Sequence, residues 1–168
     1  MKKFAILSLL FMCCLATSAC SGDGPESSPT SNDKETEEGA DVYGQSISMT
    51  IGEKTLKAVL YDNAAGKDFY SRLPLDITLE DYNNTTEKIF HPDPELNITG
   101  VERGFSPIPG DIAIYVPWGN VCIFCKNWRY SDDLIKIGHI SDDGIKALSI
   151  PGNLKVRIDK TGSDGKNP

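Results

Sequence analysis

What this sequence has little of narrows its chemistry. Histidine occurs twice, at His91 and His139, and beyond residue 20 cysteine occurs only at Cys122 and Cys125. The histidines have no paired spacing, so a zinc site would lack half of its ligands, and no metal is expected. No glycine-rich loop opens a helix and no long strand–helix–strand alternation runs through the chain, which leaves no motif for a nucleotide or other cofactor. Lysine and arginine never cluster, so nucleic acid has no electrostatic footprint to bind. No apolar run reaches the ~20 residues that a permanent transmembrane helix needs.

The apolar run that is present, Phe4 to Leu15, is broken only by Ser8 and follows Lys2 and Lys3. The small residues Ala16-Thr17-Ser18-Ala19 come next, and Cys20 stands directly after them. A positive start, a short apolar segment and a small-residue cut site make residues 1–19 a secretion signal. Leu15 to Cys20 resembles a lipobox, with Thr17 where leucine is commoner. Cleavage before Cys20 and lipid on its thiol are therefore expected, with a plain cut after Ala19 as the alternative. Residues 20–44 favour lipidation. They hold seven acids, one lysine and almost no large apolar side chain, and such a stretch cannot bury enough surface to offset its ordering entropy. That is the composition of a disordered acidic tether between a bilayer and a folded domain. Acyl chains, at ~0.8 kcal/mol per buried methylene, would make the attachment to a membrane of the cell envelope stable.

The formal charge of −7 belongs mostly to this tether. Residues 45–160 are nearly neutral and long enough for one domain, with residues 161–168 as a frayed tail. Cys122 and Cys125 have the spacing of a redox or metal pair, but Val121 to Cys125 reads as a strand. Along a strand the two Cα atoms would stand about 10 Å apart on opposite faces, beyond the roughly 7 Å limit for a disulfide. Two partly buried thiols are expected.

Period-two alternation marks most of the domain. Ile47, Met49 and Ile51, then Leu56, Ala58 and Leu60, flank the turn Gly52-Glu53-Lys54 as a hairpin. Asn63 is placed to cap a helix carrying Ala65, Phe69 and Leu73, which Pro74 ends. Further strands are predicted over Leu75–Leu79, Lys88–Phe90, Asp111–Val116, Val121–Lys126, Leu134–Ile140 and Leu154–Ile158. Pro117-Trp118-Gly119-Asn120 is predicted as a turn, and Ser141-Asp142-Asp143-Gly144 as the capped, acidic start of a second helix. About eight short strands and two short helices argue for a mainly β fold, a small antiparallel barrel.

The run Gly110 to Phe124 resembles the bacterial stand-alone cyclophilin-like domain family. Leu73-Pro74-Leu75, Tyr130 to Ile135, and Ile137-Gly138-His139-Ile140 agree with it in the same order. The resemblance implies a closed eight-stranded barrel capped by helices. It also raises an isomerase hypothesis, because true cyclophilins use an arginine to hydrogen-bond the prolyl peptide beside an apolar, aromatic cleft. That arginine follows a Phe-His pair in the family, whereas here Phe90-His91 is followed by Pro92, and no arginine lies between Arg72 and Arg103. Of the family's Ser-Gln-Phe-Phe segment only an aromatic residue survives, near Val121 to Phe124.

No serine, cysteine or carboxylate has an evident activating partner, so no catalytic residue is assigned. The ligand-binding candidates are Trp118, Phe124, Arg103, Tyr115 and Arg129. Trp118, in a turn, either touches a ligand or packs over the barrel mouth. Phe124 either lines a remnant of the proline cleft or belongs to the core. Arg103 and Arg129, beside Phe105, Trp128 and Tyr130, sit on predicted loops where aromatic–arginine pairs suit a peptide or protein partner. The sequence thus favours a lipid-anchored, non-catalytic module that binds a peptide, a protein or a small ligand, with a divergent envelope prolyl isomerase using Arg103 or Arg129 as the alternative.

Overall fold

The computed structural model describes residues 44–161, apart from the side chains of Asp142 and Asp143; the expected signal segment, Cys20, nearly all of the expected tether and all but the first residue of the expected tail lie outside them. Eight strands form a closed antiparallel barrel. They are β1 (Gly44–Ile51), β2 (Lys54–Tyr61), β3 (Leu75–Tyr82), β4 (Glu87–Phe90), β5 (Asp111–Tyr115), β6 (Asn120–Phe124), β7 (Leu134–Ile140) and β8 (Leu154–Lys160), with α1 (Ala64–Ser71) after β2 and α2 (Asp142–Leu148) after β7. Around the barrel the order is β1-β2-β7-β5-β6-β4-β3-β8, and β8 pairs with β1 to close it.

Alternation decides which side chains fill the interior. Ile47 and Met49 of β1, Leu56 and Leu60 of β2, and Val156 and Ile158 of β8 point into one core. Ile112 and Ile114 of β5 and Val121 and Ile123 of β6 meet them from the opposite wall. Phe69 of α1 and Leu148 of α2 join the same core. Each such side chain contributes roughly 1.5–3 kcal/mol on burial. Lys88 of β4 is the interior exception. It is fully buried, donates to the carbonyls of Ile150 and Gly152 at 2.6 and 2.7 Å, and lies 3.1 Å from the Asp81 carboxylate.

Asn63 caps α1 as expected, its Oδ1 accepting from the Gly66 amide at 2.8 Å. The last turn of α1 holds the loop beyond β4. Arg72 grips both carboxylate oxygens of Asp68 and donates to the carbonyls of Pro94 and Glu95, while Asp68 accepts from the Asn97 amide. Two further loops are stitched together over the β5–β7 side. Phe105 bridges Ser131, the Gly104 amide donates to the Leu134 carbonyl, and the Trp128 amide donates to that of Pro107.

Four local readings change. Gly44, expected in the tether, opens β1 opposite Tyr61. Asn120, expected in a turn, is the buried first residue of β6, because the chain reverses within the single turn Val116–Trp118 and Gly119. Ser141 occupies the N-cap position of α2, but its hydroxyl donates to the Lys57 carbonyl instead of capping the helix. Cys122 and Cys125 are both buried, not partly so, and belong to separate apolar clusters, in keeping with opposite strand faces.

Candidate functional site

On β4, β5, β6 and β7 the face turned away from the interior is also apolar. Ile89, Ala113, Cys122, Phe124 and Leu134 form a second cluster there, with Phe105 and Tyr115 packed against it. An antiparallel barrel needs an apolar side only toward its core, so an apolar outer face needs a cover. The surrounding loops cover it in part and leave a cleft of about 620 Å3.

Strand register builds the floor of this cleft. Glu87 of β4 stands opposite Tyr82 of β3 on one side and Phe124 of β6 on the other. Asn120 of β6 stands opposite Tyr115 of β5. Cys122 lies between Asn120 and Phe124 at two-residue spacing, which puts all three on one face. The Asn120 amide nitrogen donates to the Cys122 sulfur at 3.7 Å. Asn120 is only 1% exposed, and its Oδ1 has no hydrogen-bond partner. Burial pushes the half-buried Glu87 carboxyl above its ordinary pKa, an effect that the facing Cys122 thiol partly offsets. Burial, and then the charge of Glu87, push the Cys122 thiol well above its ordinary range. It therefore stays protonated, a donor and not a nucleophile.

Aromatic rings form the walls. Trp118 meets Tyr82 at 5.6 Å and Tyr115 at 5.4 Å between centroids, both edge to face, the arrangement that ring quadrupoles prefer. Gly119, at φ 63°, permits the tight reversal that presents Trp118. Across the cleft stand Trp128, with the Arg129 guanidinium 5.6 Å from its ring centroid, and Tyr130, whose hydroxyl is held by Asp132 and shifted to a higher pKa. Among the described residues, the exposed Trp and Tyr side chains are Tyr82, Trp118, Trp128 and Tyr130, between 38% and 58% exposed, and all four line this one cleft.

A family model described as the cyclophilin-like family matches residues 49–159, most of the chain. The chain belongs to the cyclophilin-like family. No curated protein matches it. Its fold is similar to the solution structure of the hypothetical protein AF2241 from Archaeoglobus fulgidus, with a TM-score of 0.53 and 14% sequence identity, covering 73% of this chain and 98% of that one. The closed barrel and two helices of the cyclophilin-like domain are those anticipated from the sequence.

Of the five sequence-stated candidates, the structure brings Trp118, Phe124, Tyr115 and Arg129 to the same cleft. Arg103 is exposed on its loop and is not among the lining residues. Phe124 is 2% exposed, packed in the outer cluster and not in the interior core, and lines the cleft floor. Sequence reasoning missed Tyr82, Glu87 and Asn120. Their only signal was the register of β3, β4 and β6, which depends on where the turns fall. Among the described residues, no group of three or more His, Cys, Asp or Glu could share a metal ion, and no helix is long and apolar enough to cross a membrane.

Proposed function

We propose that this cyclophilin-like domain is a non-catalytic module that takes a peptide or protein segment in the outer-face cleft, while lipid on Cys20 holds it at an envelope membrane. Among the described residues, the convergence of all four exposed Trp and Tyr side chains on one cleft carries the reading. Exposed aromatics are large, rigid contact surfaces and are the usual anchors of a binding interface. The β4 side chains on the cleft side are Glu87 and Ile89. Neither can supply the fixed guanidinium donor with which a prolyl isomerase lowers a barrier of roughly 18–20 kcal/mol.

The second reading, a divergent isomerase, rests on Arg129, whose guanidinium is at the cleft wall. The rate of cis-to-trans exchange in a proline peptide distinguishes the two. With micromolar protein the expected rate equals the uncatalysed one; acceleration that disappears in Arg129→Ala would make the domain an enzyme. Binding is tested separately with a mixed peptide pool, where Trp118→Ala is expected to weaken capture at least tenfold. Equal capture by both proteins would remove the cleft from the account.

A further inference from the structure

The floor of the cleft is rich in acceptors and short of donors, and this narrows the ligand class; the inference rests on the peptide-binding reading above. Glu87 and Asn120 flank Cys122 on the cleft floor, Glu87 from the adjacent strand β4 and Asn120 from β6 itself. The Asn120 amide nitrogen is spent on the sulfur, and the charge of Glu87 acts on the thiol. What remains is the Glu87 carboxylate and an Asn120 Oδ1 that no donor satisfies. A buried acceptor left unpaired is costly, and such a group in a cleft is explained when a ligand supplies its donor.

Two of the basic side chains close by are engaged elsewhere, and the third is held at the cleft wall. Lys88 is inside the barrel on Asp81, Lys126 donates to the Asn84 carbonyl, and Arg129 lies against Trp128. None of the ion pairs among the described residues includes Glu87. Asp132 and Asp133 add negative charge to the lining, against the single cation Arg129. Around the acceptors stand three linked rings, Tyr82, Trp118 and Tyr115, and aromatic faces attract cations.

We propose that the cleft recognises a protonated aliphatic amine, the ammonium group of a lysine side chain on the bound segment, seated between Glu87 and Asn120 with its methylenes against Tyr82, Trp118 and Tyr115. An ammonium meets both requirements, charge for the carboxylate and N–H for the amide oxygen. A neutral amide leaves the charge of Glu87 uncompensated, and a quaternary ammonium has no N–H to give.

The chain has two tryptophans, and both line the cleft, so indole fluorescence and indole N–H resonances report on it directly. The full chain is titrated with N-acetyl-lysine N-methylamide, its side-chain-acetylated form, its side-chain-trimethylated form and the norleucine analogue. The lysine probe is expected to bind at least tenfold more tightly than the other three. Glu87→Gln is expected to erase that preference, and Asn120→Ser to reduce it severalfold. Equal affinity for all four probes overturns the ammonium site and leaves the peptide cleft standing. Failure of every probe to perturb either indole also overturns it, and the pool experiment with Trp118→Ala then decides the broader reading by itself.

Discussion

Two carboxylates show how differently this chain treats its acids. Arg72 beside Asp68, through a charged hydrogen bond, holds its carboxyl below the ordinary range even though partial burial works the other way. The stability that Asp68 contributes is present above the ordinary carboxylate pKa and is lost as pH falls through its lowered value. Glu87 has the opposite sign, because burial raises it. Between the ordinary and the raised value the native state keeps a proton that the unfolded chain has released, so stability falls as pH rises through that window. Glu87→Gln is therefore expected to melt at or above the wild-type temperature at neutral pH. The two proteins should converge below the ordinary carboxylate range. Thermal melts across that range check it, and a clearly less stable variant at neutral pH would show that the carboxylate has a native partner. A residue kept at a cost to the fold is the pattern of a site retained for binding.

The short elements depend on particular side chains. Helix α1 has eight residues, too few to persist alone in water. Asn63 ties it at both ends of one amide, accepting from Gly66 and donating to the Lys136 carbonyl of β7 at 3.1 Å. Asn63→Ala is expected to cost about 1–2 kcal/mol in urea denaturation, and Asn63→Asp less, because it keeps the cap and loses only the bridge. This element was legible in the sequence, since a cap residue, a four-residue apolar repeat and a proline stop are all local. The cleft was legible only in part. Trp118 and Phe124 draw attention by type and position, whereas Glu87 becomes a neighbour of Cys122 only through the pairing of β4 with β6, and Asn120 shares its face only because β6 begins one residue earlier than expected. The register of β4 against β3 is set in turn by the tight connection after β3, where Asn83, Asn84 and Thr85 all adopt positive φ. Asparagine tolerates that conformation and threonine does so rarely, so no local pattern announces the register. Lys88 was hidden for the same reason, as a lysine in a short strand reads as solvated until its face is known.

At the scale of the molecule, the anchor and the barrel make separate claims. Labelled fatty acid is expected to enter the wild-type chain and not Cys20→Ser, read on a gel of envelope fractions; equal labelling would detach the domain from any membrane. The barrel bears on this through its ring order. Counted in either direction, β6, with Asn120, Cys122 and Phe124, stands four strands from β1, through which the chain enters the fold. Strand β1 and the cleft's floor strand are thus diametrically placed in the ring. An attachment made directly at β1 therefore leaves the floor strand of the cleft on the far side of the ring, and capture on a solid support through that end is expected to keep the affinity measured in free solution.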